Sequence, residues 1–261
     1  MAKVGFLGYG RMAKAISQGL IASELIALSE QAYSDPIKAL DNPYLTRAVD
    51  NSQLVSISET VVVAVKPHQV LDVLNEVKEE AKNRLIVSIA AGVKLKSLTQ
   101  CLHPSTKIVR VLPNLPALCQ CGLTIICSSS DVESSDLKKV ETIFKAVGEV
   151  EYLDESYFDQ ATALSGSGPA YFFLIFEAMI RGAVRLGLSW ETARRMVLST
   201  ALGSVKTALN NSNLSLSQLR DQVTSPGGTT AEALHQLEKG ALTALISEAL
   251  SAASLKSQQL G

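Results

Sequence analysis

The sequence predicts an α/β protein, with an N-terminal, doubly wound and mostly parallel sheet followed by an all-α C-terminal domain. Short β-rich runs alternate with helical stretches from Lys3 to about Val150, which is the rhythm of βαβ units. A glycine-rich turn follows the first of these runs, and the β-rich runs stop after about Tyr157. The length of 261 residues suits two domains, which we place at 1–157 and 158–261.

Each strand of the predicted sheet is a short run rich in β-branched or other apolar residues. The run at 61–65 is continuously apolar, which indicates a strand that is buried on both faces, as in a parallel sheet. The predicted strands are 3–7, 31–34, 60–65, 85–89, 107–112 and 124–127.

The C-terminal domain contains helices that are apolar around their whole circumference. Pro169 stands where a first helical residue should be, and residues 171–176 then read YFFLIF. Residues 241–253 have a similarly broad apolar face. Because a domain of about 100 residues cannot easily cover two such helices, the sequence predicts a homodimer formed through this dimerisation domain.

Composition limits the classes of partner and of site. Lys and Arg number 24 against 25 Asp and Glu, so nothing attracts the chain to nucleic acid or to an anionic membrane. No secretory signal and no apolar run of about 18 residues is apparent, so we expect a cytoplasmic protein with a small-molecule substrate. The four cysteines match no zinc or disulfide spacing, and we expect no metal.

The first predicted strand runs into a G-x-G-x-x-A turn that opens a helix, which is typical of a Rossmann-type dinucleotide site. The first glycine permits the tight turn, the second lets a pyrophosphate approach the backbone, and the alanine allows close helix packing. At the end of the second strand, Ser34 could accept a 2′-phosphate and Asp35 could repel one, so NADPH and NADH both remain open as cofactors. The turn supplies the candidate cofactor residues Gly8, Gly10, Arg11, Met12 and Ala13.

Residues 223–230, with the sequence VTSPGGTT, form a second candidate site. The paired glycines remove side chains that would block access to the amides of Gly228, Thr229 and Thr230 at a helix start, where a carboxylate could bind. The alternative interpretation is a helix N-terminus capped by Ser or Thr.

Together with residues 163–171, this stretch resembles the signature of the pyrroline-5-carboxylate reductase family, and the likeness spans essentially the whole chain. The stretches that carry it are 64–67 (AVKP), 90–93 (AAGV), 110–117 (RVLPNLPA), 165–170 (SGSGPA) and 225–230 (SPGGTT).

The resemblance implies reduction of 1-pyrroline-5-carboxylate, with the substrate between the nicotinamide and the helical domain. Substrate binding is implied for Ser225, Gly228, Thr229 and Thr230, and the Thr230 hydroxyl, reaching the imine nitrogen, would be the catalytic group. Lys66 and Pro67, after Val65, would lie beside the nicotinamide, and Asn51 would contact the adenosine ribose or its phosphate. The resemblance further implies interlocked dimers, often assembled into decamers.

Two rival functions use a similar layout. A 3-hydroxyacid dehydrogenase needs a proton-transferring residue, usually Lys, after the glycine-rich loop at 166–168, and Phe172 stands there. A non-catalytic relative would bind NAD(P)H without turnover, and an assay for cofactor oxidation would distinguish it.

Overall fold

The computed structural model describes residues 1–35 and 45–260, and it confirms the α/β architecture. The strands are β1 (Ala2–Leu7), β2 (Gln31–Ser34), β3 (Thr46–Arg47), β4 (Ser58–Val63), β5 (Leu85–Ser88), β6 (Lys107–Leu112), β7 (Gly122–Ser128) and β8 (Gly148–Tyr152). The α-helices are α1 (Arg11–Ala22), α2 (Asn51–Ile57), α3 (Val70–Glu76), α4 (Leu95–Cys101), α5 (Ser134–Lys145), α6 (Phe158–Ala161), α7 (Gly168–Arg185), α8 (Trp190–Asn210), α9 (Leu216–Gln222), α10 (Thr229–Lys239) and α11 (Leu242–Leu260).

The strands form one eight-stranded sheet in the order β3-β2-β1-β4-β5-β6-β7-β8. All neighbouring strands are parallel except β6 and β7, which pair antiparallel. The link between those two strands carries only a short 3₁₀ helix, Leu115–Cys119, too little chain for the crossover that a parallel pair requires. The strand order reverses direction at β1 and β4, where open α/β sheets place their ligands.

The sequence prediction did not include two of the strands, β3 and β8. β3 is an exposed pair of residues, too short to produce a pattern. β8 alternates Val150 with Glu149 and Glu151 and is largely exposed, so it lacks the apolar run by which the other strands are recognised. The fourth strand also begins and ends two residues earlier than predicted, at Ser58–Val63.

Apolar layers cover both faces of the sheet. On one face α1 and α5 pack through residues such as Ile16 and Phe144 against Phe6. On the other face α2, α3 and α4 pack against alternate residues of the same strands, for example Leu7 and Val61. Helices on both faces make the sheet doubly wound, as the sequence predicts.

The chain divides into two compact units: Met1–Ser167 together with the last turns of α11 from Ala253, and Gly168–Ala252. This division lies later in the chain than the boundary proposed at Tyr157. The end of α11 belongs to the first unit, where the Ser257 hydroxyl donates a 2.6 Å hydrogen bond to Asp159 Oδ1.

The second unit has a small core of its own. Ile180, Ala193 and Val197 are buried where α7 meets α8. By contrast Phe173 and Leu174, in the segment that is apolar on all sides, are 57 % and 68 % exposed.

One helical stretch, Glu155–Arg185, is long and apolar enough to cross a bilayer, with a mean hydropathy of 1.3 over its most apolar window. From the sequence we expected no membrane-spanning segment and did not identify this helix as a candidate. An ion pair of 2.6 Å between Arg181 and Glu177 lies on this helix. Because core and interface helices of soluble proteins reach similar hydropathy, length and composition alone do not assign it to a membrane.

Candidate active site

The candidate cofactor residues of the first unit lie along the carboxyl edge of the parallel strands. Leu7 pairs with Ser34 on one side and with Val63 on the other, so the loops after β1, β2 and β4 leave the sheet side by side. The structure therefore brings together the glycine loop, Ser34 and Val65. This edge is where a doubly wound sheet binds a dinucleotide.

The two glycines of the loop have different physical reasons for being glycine. Gly8 has φ of +82°, and a β-carbon added there would lie 2.9 Å from Cγ1 of Val65, so a side chain would be both strained and obstructed. Gly10 is the N-cap of α1, and a β-carbon added to it would meet no atom of residues 1–35 or 45–260 within 4 Å. The open space beside Gly10, at the start of a helix, fits a dinucleotide pyrophosphate.

The remaining loop residues, Arg11, Met12 and Ala13, differ in how deeply they are buried. Ala13 is fully buried against the sheet, as the close packing of α1 predicts, and Met12 is partly buried beside it. Arg11 is exposed at the first position of the helix. Of these three residues, Arg11 is thus the accessible cation at the loop.

Ser34 and Asn51 are joined directly. The buried Ser34 hydroxyl donates a 2.7 Å hydrogen bond to Asn51 Oδ1, and Asn51 Nδ2 donates a 2.9 Å bond to Glu76 Oε2 at the end of α3. Asn51 begins α2, and the preceding residue, Asp50, caps the helix by accepting from the Gln53 amide. Asn51 is thereby held at the end of β2.

Asp35 lies against the glycine loop. Its Oδ2 accepts a 3.0 Å hydrogen bond from the amide of Tyr9, the residue between the two glycines. Tyr9 is itself buried, and its hydroxyl donates a 2.7 Å bond to Ser17. Burial raises the pKa of Tyr9, although the bond to Ser17 acts in the opposite direction. This tyrosine therefore anchors the loop, and with it the position of the Asp35 carboxylate.

Val65 contacts the glycine loop, while Lys66 and Pro67 start the short 3₁₀ turn Pro67–Gln69. The Lys66 side chain is exposed, and its backbone amide donates a 3.4 Å bond to Gln69 Oε1. Lys66 is accordingly available to a ligand at this edge.

Two of the stretches behind the family resemblance meet inside the first unit. Asn114 Nδ2 donates to the Ser165 hydroxyl at 3.1 Å, and Asn114 Oδ1 accepts from the Leu123 amide at 2.9 Å. In the same stretch Arg110 forms a 2.7 Å ion pair with Glu155 and lies 4.6 Å from the Phe158 ring centroid. These motif residues hold the end of the sheet against the chain that leads into α7.

The candidate anion site of the second unit is the start of α10. Gly227 has φ of +68° and turns the chain, and the N-cap residue Gly228 has no side chain with which to cap the helix. The alternative interpretation, a Ser or Thr cap, is therefore not found: within the described residues, no side chain caps this helix start. Its first amides, at Thr229 and Thr230, face a position that suits an anion.

The two threonines differ in exposure, Thr230 being partly buried and Thr229 exposed. Ser225 is exposed, and its carbonyl accepts a 3.0 Å hydrogen bond from the Gly228 amide, which closes the turn. Glu232, in the first turn of α10, accepts a bond from Gln236 one turn further along. The Ser225 turn and the helix start thus form one continuous polar surface.

Sequence reasoning did not identify Tyr9, Glu76 or Arg47 as site residues. The exposed Arg47 on β3 donates a 3.4 Å bond to the Asp35 carbonyl. Tyr9 could have been identified from its place between two functional glycines, but no sequence signal marks Glu76, which reaches Asn51 from a separate helix. Across residues 1–35 and 45–260, no three His, Cys, Asp or Glu side chains converge as metal ligands.

Known proteins resemble both parts of the chain. A family model described as pyrroline-5-carboxylate reductase dimerisation matches residues 155–260, and one described as NADP oxidoreductase, coenzyme F420-dependent, matches residues 3–92.

Full-length relatives extend this likeness over the whole chain. The pyrroline-5-carboxylate reductase of Synechocystis is 39 % identical, over 99 % of this chain and 98 % of the relative. That of Methanosarcina acetivorans is 37 % identical over the same shares. The crystal structure of Plasmodium falciparum pyrroline carboxylate reductase with NADP bound is 36 % identical, with a TM-score of 0.92 over 100 % of this chain and 98 % of that one.

Proposed function

The chain belongs to the pyrroline-5-carboxylate reductase family, and we propose that it performs the reaction of that name with a dinucleotide site at the sheet edge and an anion site at the start of α10. It is an NAD(P)H-dependent oxidoreductase that reduces the C=N bond of 1-pyrroline-5-carboxylate and so forms L-proline. The observation that carries this assignment of residues is the uncapped, glycine-led start of α10.

The substrate carboxylate would bind the amides of Gly228, Thr229 and Thr230. A carboxylate there satisfies the Thr229 and Thr230 amides, which lack an intrahelical acceptor, and interacts favourably with the positive end of the helix dipole; the Gly228 amide beside them already donates to the Ser225 carbonyl. A β-carbon added to Gly228 would lie 3.1 Å from the Ser225 carbonyl oxygen and would displace the Ser225 hydroxyl, so the turn leaves little room for a side chain there. The glycine thus keeps the turn compact, and we propose that Ser225 borders the bound carboxylate.

The Thr230 hydroxyl would donate a hydrogen bond to the imine nitrogen. That nitrogen gains electron density as the C=N bond is reduced, so a donor placed there stabilises the transition state more than the ground state. The bound nicotinamide supplies the hydride, and the chain supplies placement and this hydrogen bond.

At the sheet edge, the pyrophosphate would lie beside Gly10 and the amides of Arg11, Met12 and Ala13. Gly8 would form the turn in front of it, with Val65, Lys66 and Pro67 on the nicotinamide side. Ser34 and Asn51 would border the adenosine ribose.

The protein is an oligomer, and we propose a homodimer formed through the exposed apolar face of α7 and its neighbours, with assembly into a decamer as a further step. This proposal gives Glu155–Arg185 a place at an interface rather than in a bilayer. We also propose a cytoplasmic location, which suits four cysteines that are all free thiols.

The reaction is tested by supplying purified protein with pyrroline-5-carboxylate and either NADH or NADPH and following the nicotinamide absorbance. Proline should form in equal amount to the cofactor oxidised. Absence of oxidation with both cofactors, in protein that binds them, would favour a non-catalytic relative.

The role of Thr230 is tested by Thr230→Ala, which should lower kcat by about tenfold to a hundredfold, as for loss of one transition-state hydrogen bond, with cofactor affinity unchanged. Thr230→Ser keeps the hydroxyl and should restore much of the rate. Thr207→Ala is a matched control, because the Thr207 hydroxyl donates to its own helix at Gly203. An unchanged kcat in Thr230→Ala would reject the catalytic role.

A further inference from the structure

We propose that this chain binds NADH in preference to NADPH, because the carboxylates of Asp35 and Glu76 border the place of the adenosine 2′ position. The inference rests on the proposed cofactor site and concerns how that site distinguishes a 2′-hydroxyl from a 2′-phosphate. It separates this chain from the related Plasmodium falciparum structure, which has NADP bound.

The first carboxylate, Asp35, is fixed beside the glycine loop. The Tyr9 amide holds its Oδ2 at 3.0 Å, so the negative charge lies next to the residue that separates Gly8 from Gly10. In a sheet of this topology an acidic residue after the second strand accepts hydrogen bonds from the ribose hydroxyls. A 2′-phosphate at the same place would be repelled by that charge.

The second carboxylate reaches the same region through Asn51. Glu76 accepts from Asn51 Nδ2 at 2.9 Å, and Asn51 Oδ1 accepts from the Ser34 hydroxyl at 2.7 Å. The Asn51 amide group and the Ser34 proton are both engaged within this chain of contacts. A phosphate would therefore compete with an existing carboxylate for Asn51, whereas the neutral ribose brings its own hydroxyl donors.

Among the described residues, Arg47 is the cation that contacts Asp35 and, like the exposed Arg11 of the glycine loop, could favour the opposite preference. It is exposed on the edge strand β3, and its described hydrogen bond is a long one, 3.4 Å, to the Asp35 carbonyl. An exposed guanidinium is screened by salt and water, whereas the Asp35 carboxylate is partly buried and held by the backbone. We therefore assign the preference to the carboxylates.

The test is to measure dissociation constants of NADH and NADPH by calorimetric titration of the full chain at about 0.15 M salt, where long-range electrostatics are screened. We expect NADH to bind at least about tenfold more tightly, given one fixed like charge near the phosphate. Asp35→Asn keeps an oxygen for the Tyr9 amide and removes the charge. It should improve NADPH binding relative to NADH by about tenfold, and Glu76→Gln should do so by a smaller factor.

Glu59→Gln is the matched control, because it makes the same charge change on β4 near the amino end of the strands and should leave the ratio unaltered. Equal or tighter binding of NADPH by the unaltered protein would overturn the inference, as would an unchanged ratio in folded Asp35→Asn. If neither cofactor bound to folded protein, the proposed cofactor site would fail together with the inference. Binding of both without discrimination would overturn the inference alone.

Discussion

The two units of the chain bury their apolar side chains to very different extents. In the first unit large residues such as Phe6, on β1, and Phe144, on the helix α5 that packs against the sheet, are completely buried. In the second unit Phe172, Phe173 and Leu174 are each more than half exposed, although they lie on a helix with a buried residue, Ile180. The first unit therefore has a complete core of its own, whereas the second needs a further surface to cover it.

This difference also separates two kinds of site. At the sheet edge, the loops of the proposed cofactor site are anchored by buried residues such as Tyr9. At the start of α10, the proposed anion site consists of exposed backbone at a glycine turn, on a unit whose packing we propose to be completed by dimerisation. Changes that act on the core of the first unit and on the exposed face of the second should therefore have different consequences.

The largest effect is expected from a charge on the exposed apolar face. Leu174→Glu should abolish the dimer and lower activity by more than about tenfold, because an interface would have to bury an unpaired carboxylate. Light scattering at micromolar concentration should give the mass of one chain. Leu71→Glu, on the outer side of α3 in the first unit, is the matched control and should retain the dimer mass. A Leu174→Glu variant that remained a dimer would contradict the inference that this exposed apolar face is covered by a partner chain.

Cavity mutations should distinguish the units by the effect of protein concentration. Phe144→Ala should lower the free energy of unfolding by about 3 to 5 kcal/mol, and Ile180→Ala by about 2 to 5 kcal/mol. In Phe144→Ala dilution should leave the unfolding of the first unit unchanged. In Ile180→Ala dilution should lower the unfolding midpoint further, because dissociation and unfolding are then linked. Thermal unfolding over a hundredfold range of concentration checks this, and an identical response in both variants would refute it.

A smaller loss is expected from the ion pair near the end of the first unit. Glu155→Gln leaves the buried Arg110 guanidinium without its anion and weakens the acceptor for the Leu95 amide, which donates to Glu155 at 2.7 Å. We expect a loss of about 1 to 3 kcal/mol in chemical denaturation, discounted because Glu155 is partly exposed. Glu151→Gln on the exposed face of β8 should change stability little. Equal stability of the two variants would exclude a structural role for this pair.

The smallest effect concerns pH. Burial acts to raise the pKa of Asp136, but hydrogen bonds from Lys107 and Lys139 outweigh it and hold the pKa below its ordinary value of 3.8. The ionised carboxylate therefore stabilises the first unit above about pH 4, and this contribution is lost as pH falls through the lowered pKa. Asp136→Asn should flatten the acid limb of a stability profile measured for that unit. A limb of unchanged slope would show that this cluster contributes nothing.

Sequence patterns predict the parts of the fold that local chemistry determines. The buried strand residues 61–63 and the turn at Gly8 are recognisable because a doubly covered strand and a positive φ each restrict residue type. β8 was not predicted, because its exposed position at the edge of the sheet permits glutamates at alternate positions. The end of α11 returns to the first unit, where Ser257 bonds to Asp159, a contact between distant segments that no local pattern encodes.

The candidate sites were predictable to a similar degree. The glycine loop was predicted from its G-x-G-x-x-A spacing after a strand, and the SPGGTT stretch from paired glycines that expose the amides of a helix start. The sequence did not predict whether Ser34 or Asp35 has the greater effect on a 2′-phosphate. That depends on the Tyr9 amide, which bonds to Asp35, and on Glu76, which reaches Asn51 from another helix. Tertiary contacts therefore determine the surroundings of the proposed ribose site, whereas the sequence predicts only which residues lie near it.

Gly8 and Gly10 should respond differently to selection in the laboratory. In a library of variants screened only for soluble, folded protein, position 8 should stay glycine because of its φ of +82° and its contact with Val65. Position 10 should accept alanine or serine in such a screen, since its backbone is ordinary and none of the described residues fills the space beside it. Only growth that depends on proline synthesis should restore glycine there, so the two positions would report separately on folding and on catalysis.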